Sequence, residues 1–303
     1  MSLQNFFLQV LIQWNQNSLR KLSPEHRFKR QRRFMAKDRS RVKAHISVQS
    51  GELAGVPVEW ITPKSLANVA KGPVCVYFHG GAFVMGGPNS HRDMAAQLAD
   101  LAQVRLLMVD YRLAPEHPFP AALDDALAVY RALLLQGTAA TQIVMGGDSA
   151  GGNITLATLQ AIRDAGLPLP QAFFLFSPWL DLTNQGPSYT ANARTDAMLT
   201  QQVLHDAVAL YAPGRAPNDA RLSPLLGSVA GLPPGLIIAS TTEILLGDAQ
   251  RLQQKLQAQG GQVQYRAWPK TLHAFPVFAR FLPEARAALK TTAQFIRQQL
   301  ERT

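Results

Sequence analysis

Gly147-Asp148-Ser149-Ala150-Gly151-Gly152 decides how this chain is read. The apolar run Gln142-Ile143-Val144-Met145 leads into it, and Asn153 to Ile162 leads out with helical periodicity. Strand, tight glycine-flanked turn and helix are the context in which G-x-S-x-G becomes a mechanism. The glycines let the turn hold a serine in a backbone conformation that side chains avoid. The hydroxyl then projects at the top of a sheet, facing helix-opening N–H groups that have no intrahelical partner. Such groups are free to receive a developing oxyanion. Alone, the pattern is equally a glycine-rich helix entry, and the remainder of the chain has to decide between the two.

Working outward, short continuous apolar runs recur at Val74 to Phe78, Leu106 to Val109, Ala172 to Phe176 and Leu236 to Ala239, and a further strand is expected at Val263 to Ala267. Runs of this kind are strands buried on both faces. Amphipathic helices are expected between them, from about His91 to Leu101 and from Ala121 to Leu135. The alternation predicts an α/β fold with a mostly parallel central sheet flanked by helices. Before it, Val42, Ala44, Ile46 and Val48 predict one strand and Val56, Val58 and Trp60 a second, and Pro63 to Gly72 reads as a loop. Residues 183–232 break the alternation; they are rich in Pro, Gly and Asn, with one helix near Thr200 to Tyr211. They read as an insertion above the sheet, forming a helical cap together with residues 1–45. The organisation is thus 1–45 as N-terminal cap helices and 46–303 as the catalytic domain containing the insertion.

Leu3, Phe6, Phe7, Val10, Leu11 and Trp14 follow helical spacing. This apolar stripe is expected to bury against the body of the protein, where its Phe and Leu side chains would line an acyl pocket. A membrane surface is the alternative. Ser23 and Pro24 read as the start of a second helix. The formal charge of +10 is local: residues 20–43 hold eleven Lys or Arg against Glu25 and Asp38. The basic run 27–43 therefore reads as a solvated helix face, with no motif for nucleic acid beside it. No apolar run is long enough to span a membrane, so no stable insertion is expected. Residues 1–14 do not have the pattern of a secretory signal, and the cytoplasm is the default location. The single cysteine, Cys75, lies in an apolar run and is expected to be a buried small hydrophobe.

A serine hydroxyl needs a base, and the base needs a carboxylate to orient it. Ser149 is followed by acids at 243–248, after one buried strand, and by His273 after the last. Each sits beyond the C-terminal end of a strand, where open α/β sheets place their sites. Glu243 is preferred as the acid because it lies in the loop. Asp248, in the first turn of a helix, has a sufficient reason to be there in the helix dipole but stays open. The histidines at 26, 45, 91, 117 and 205 show no carboxylate constellation in the sequence.

His79-Gly80-Gly81-Ala82-Phe83, Asp110-Tyr111-Arg112-Leu113-Ala114-Pro115-Glu116, Gly147 to Gly152 and His273-Ala274-Phe275 occur in this order. With these four motifs the chain resembles the bacterial hormone-sensitive-lipase family of α/β-hydrolase esterases over residues ~74 to ~300. The resemblance implies hydrolysis of a small-molecule acyl ester with Ser149 as nucleophile and His273 as base. It implies oxyanion donors at Gly81, Ala82 and Ala150, with Gly80 supporting the turn. It also implies a helical cap, no cofactor and no metal, and is compatible with a homodimer. Ala82 replaces the third glycine of the family's commonest pattern at little expected cost. Glu243 stands where Asp is common. Arg112 and Glu116 are expected to form a buried pair that holds the loops. Short to medium acyl chains are the expected substrates; lipase, lactonase or amidase activity, or ligand binding without catalysis, are the alternatives.

Overall fold

In the computed structural model, residues 1–19, 21–66 and 72–302 are described. The buried runs form the strands β3 (Val74–Phe78), β4 (Arg105–Val109), β5 (Ile143–Asp148), β6 (Ala172–Phe176) and β7 (Gly235–Ser240), and the half-exposed edge strand β8 (Val263–Trp268) follows them. They follow the hairpin β1 (Ile46–Leu53) and β2 (Val56–Pro63). The first strand thus begins at Ile46 and not at Val42. Ala54 and Gly55, both at positive φ, make the two-residue turn that joins the hairpin. Among the described residues the sheet has eight strands in the order β1-β2-β4-β3-β5-β6-β7-β8. β2 is antiparallel to both its neighbours, β1 and β4, and β3 to β8 are parallel to one another. Residues 67–71 of the expected 63–72 loop lie outside the described residues.

Alternate side chains of each central strand enter two separate cores. Val76, Met145, Leu175 and Ile237 pack with α4 (Ala121–Leu135), α5 (Ala150–Asp164) and α8 (Leu246–Ala258) on one face. Cys75, Tyr77, Val144 and Phe174 pack with α3 (Pro88–Ala102) and α9 (Pro283–Leu300) on the other. Cys75 is fully buried, and burial alone pushes its thiol far up in pKa. Because Phe78 aligns with both Val109 and Gly147, the chain leaves β3, β4 and β5 at one edge of the sheet. β6, β7 and β8 leave at the same edge.

The helical cap lies at that edge. α2 (Pro24–Met35) starts at Ser23, whose side chain caps the His26 N–H. Arg27 reaches Asp206 at 2.6 Å, which fastens α2 to α7 (Gln201–Tyr211) of the insertion. The insertion also holds the short helix α6 (Pro187–Ala191), absent from the sequence reading because five residues carry no usable periodicity.

Two expectations are corrected here. In α1 (Leu3–Leu19) the apolar stripe does not bury against the body: Leu3, Phe7 and Trp14 are 75, 66 and 73% exposed. The opposite face is held instead, by hydrogen bonds from the side chains of Asn5 and Gln9 to the Lys270 carbonyl, each 2.9 Å, and by Leu8 and Ile12 packing. Second, Arg112 and Glu116 are not a pair. The chain turns between them, so Arg112 meets Asp125 of α4 at 2.7 Å while Glu116 meets Arg32 of α2 at 2.7 Å.

Candidate active site

The turn between β5 and α5 holds Ser149 at φ +53°, ψ −118°. A non-glycine residue there costs on the order of 1–3 kcal/mol and persists only where neighbours enforce it. The Ser149 N–H donates to the Phe176 carbonyl at 2.9 Å, and its carbonyl accepts from Asn153 and Trp179. Gly151 is required because a Cβ there would collide with the Phe78 carbonyl, so α5 can approach β3 only without a side chain.

The loop after β3 lies beside this turn and is tied to it through Asp148. The Asp148 carboxylate accepts from the Gly80 N–H at 2.9 Å and the Tyr77 hydroxyl at 2.8 Å, and His91 Nε2 lies 3.2 Å away. Burial disfavours its charge, but His91, the Tyr77 hydroxyl and His79 together bring its pKa below the ordinary carboxylate value. His91 thus has a carboxylate partner that its sequence context did not reveal, and His45 has one too, Asp100 at 3.1 Å. His79 stacks on Tyr111 with ring centroids 4.3 Å apart. Burial, followed by repulsion from His91, pushes its pKa down to about 3, so it is neutral and structural.

Gly81 has φ +124° and a Cβ would strike the Met85 carbonyl. Ala82 and Phe83 are also at positive φ, +54° and +63°. Ala82 therefore carries a cost the sequence reading did not assign, of about 1–2 kcal/mol relative to glycine. The Phe83 ring stacks on Tyr211 at 3.8 Å, which joins this loop to α7 of the cap. The Gly80 N–H is taken by Asp148. Those of Gly81, Ala82 and Ala150 donate to no acceptor among the described residues.

Glu243 and His273 come from the loops after β7 and β8. One carboxylate oxygen of Glu243 accepts from the Ser240 N–H at 2.7 Å; the other lies 2.6 Å from His273 Nδ1. Both side chains are buried. The Thr271 carbonyl accepts from the Ser240 and Thr242 hydroxyls, which locks the two loops together. The Ala274 N–H donates to Ser177 Oγ at 2.9 Å. Ser149 and Ala274, the residue after His273, are thereby anchored to adjacent residues, Phe176 and Ser177, at the end of β6. Burial opposes charge on His273, but the Glu243 hydrogen bond and the carboxylates of Glu243, Asp196 and Asp148 raise its pKa above the ordinary value.

Asp248 faces elsewhere. It accepts from the Leu180 and Asp181 N–H groups at 2.8 and 3.0 Å, and burial pushes its pKa up to about 7 despite them. Asp196 is the acid that sequence reasoning missed. It is buried in the insertion and accepts from the N–H groups of Met198, Leu199 and Ile244, each at 2.9 Å. It therefore ties the cap to the residue after Glu243. Its one sequence signal is an acidic residue a few positions before α7.

The family model described as the alpha/beta hydrolase fold matches residues 75–277. The chain belongs to the hormone-sensitive-lipase family of α/β-hydrolases. An acetyl-hydrolase of Streptomyces hygroscopicus is 37% identical over 256 residues, 84% of each chain. An esterase of Acinetobacter venetianus is 36% identical over 251 residues, 82% of each. Among solved structures, an esterase from the bacterial hormone-sensitive lipase family is 33% identical with TM-score 0.88, covering 99% of both chains. EstE5 soaked with p-nitrophenyl butyrate is 33% identical with TM-score 0.90, covering 99% of this chain and 100% of the other.

Proposed function

We propose that this protein is a serine carboxylesterase that cleaves short- to medium-chain acyl esters through an acyl-enzyme. The observation that carries the reading is the Glu243–His273 contact of 2.6 Å, anchored beside a serine held at positive φ. Ser149 Oγ attacks the ester carbonyl while His273 takes its proton; Glu243 holds the imidazole through Nδ1 and stabilises the imidazolium. The free N–H groups of Gly81, Ala82 and Ala150 receive the tetrahedral oxyanion. The positive φ at Ala82 and the Gly80–Asp148 bond are the features that support this role for the loop. His273 then protonates the leaving alcohol, and water deacylates Ser149 with His273 again as base. The reaction balances with water alone, and no step calls on a metal or organic cofactor.

Residues 1–45 and 183–232 serve as the cap over this edge of the sheet. The buried rings of Trp179 and Tyr211 pack against that of Phe83, and the Trp179 backbone N–H donates to the Ser149 carbonyl, so a rigid aromatic cluster adjoins the serine turn. That EstE5 was soaked with p-nitrophenyl butyrate supports the short- to medium-chain substrate range.

The test is hydrolysis of p-nitrophenyl esters from acetate to palmitate by wild type and Ser149→Ala. Activity peaking at short to medium chains and lost in the variant is the expected result. A folded wild type inactive on every chain length overturns the esterase reading, and a maximum at palmitate overturns the chain-length part.

A further inference from the structure

Single exposed hydrophobic residues are normal on a soluble protein; a contiguous group of them is not. Of twelve exposed large hydrophobics among the described residues, eight fall within residues 1–34: Met1, six on α1, and Phe34 on α2. The α1 stripe of Leu3, Phe6, Phe7, Val10, Leu11 and Trp14 forms one face, turned outward because the opposite face is hydrogen-bonded to Lys270. From Leu3 to Trp14 that face is about 18 Å long.

The next helix supplies charge. Lys29, Arg30 and Arg33 line one exposed groove of α2 with Leu22 and His26. With Lys21 and Lys37 they are exposed, and none of the five enters an ion pair among the described residues. α1 contains no acidic residue and α2 only Glu25.

We infer that α1 and α2 form a peripheral docking surface for an anionic phospholipid bilayer. The apolar face of α1 enters the interface between headgroups and acyl chains, while the α2 cations meet the phosphates. A bilayer with anionic headgroups meets both features at once. A second copy of the chain could cover the α1 face but would bring the α2 cations no excess of anionic groups, since the chain carries a net charge of +10. A nucleic acid would engage the cations and leave the α1 face in water. Asn5 and Gln9 bind the carbonyl of Lys270, three residues before His273, so α1 stands between the docked bilayer and the loop that carries the proposed base. Docking itself does not depend on the esterase chemistry, and its readout contains no turnover.

The experiment is co-sedimentation with vesicles of phosphatidylcholine, pure or with roughly one lipid in three replaced by phosphatidylglycerol. Wild type is expected to partition onto the anionic vesicles and not the neutral ones. Phe7→Ser/Trp14→Ser and Lys29→Glu/Arg30→Glu/Arg33→Glu are each expected to lower that partition at least about tenfold. These side chains are exposed, so both variants fold, which thermal melting checks. Equal binding to both vesicle types, no binding to either, or wild-type partition in either variant overturns the proposal. So does light scattering that shows a wild-type dimer broken by Phe7→Ser/Trp14→Ser with vesicle partition unchanged.

Discussion

Glu243→Gln tests the proposed mechanism at its narrowest point. The substitution keeps the shape of the side chain and the oxygen that accepts from the Ser240 N–H, and removes the charge facing His273. The contact is 2.6 Å between side chains that are 4 and 0% exposed, so solvent screens little of it. Two charges about 4 Å apart interact by about 4 kcal/mol at an effective dielectric constant of about 20. That attraction grows as the imidazolium forms in the transition state, and its loss corresponds to about 10³-fold in kcat. A glutamine that turns its NH2 toward Nδ1 also reverses the histidine tautomer, which adds roughly another factor of ten. The pH profile gives a second readout with a defined sign. His273 acts as a base only when neutral, so activity falls as pH drops through its pKa. Glu243 raises that pKa against burial; without the charge, burial dominates and the acid limb of kcat/KM moves to lower pH. The assay is kcat and kcat/KM for p-nitrophenyl butyrate between pH 4 and 9. A loss below about tenfold, or an acid limb that moves upward, refutes the role given to Glu243.

Asp248→Asn should leave kcat within about threefold, because this residue holds the Leu180 and Asp181 N–H groups and not His273. Its folded pKa of about 7 lies above the unfolded value of 3.8, so the folded state keeps a proton that the unfolded chain releases. Stability from this group therefore falls as pH rises from about 4 to 7, by about 2–4 kcal/mol, and urea midpoints of the Asn variant should lack that decline. Asp148→Ala frees the Gly80 N–H and should cost about 10²-fold in kcat on butyrate with a smaller change in KM; a KM effect alone would count against a positioned oxyanion loop. Gly151→Ala, forced against the Phe78 carbonyl, should lower stability by about 1–3 kcal/mol in denaturant titration, and an unchanged midpoint would show that α5 can back away from β3.

The parallel sheet was legible because its inner strands are short apolar runs with no polar alternation, as in Val74 to Phe78 and Ala172 to Phe176. The places of Ser149, Glu243 and His273 in the fold were legible for a related reason: each follows the C-terminal end of a parallel strand. What stayed hidden depends on three-dimensional partnership. Arg112 and Glu116 are four residues apart yet serve different helices, since a turn separates them. His91 reaches Asp148 across 57 positions, and Asp196 reaches Ile244 across 48. Neither separation leaves a periodic trace. The α1 stripe has the spacing of a buried face, but periodicity reports only that a helix has two sides; which side meets the protein was decided by Asn5 and Gln9 finding the Lys270 carbonyl.

The backbone of Ser149 sets stability and selection against each other. At φ +53°, ψ −118°, glycine would relieve strain of about 1–3 kcal/mol. Its greater freedom in the unfolded chain returns only about 0.5–1 kcal/mol of that gain. Ser149→Gly should therefore melt no lower than wild type, and up to about 2 kcal/mol more stable, while lacking the nucleophile. An engineering campaign ranked by melting temperature alone would promote this variant, and a lineage released from selection on hydrolysis could drift through it without misfolding. On the proposed mechanism, the serine at this position exchanges that strain for a nucleophile, against a thermodynamic gradient that favours its loss.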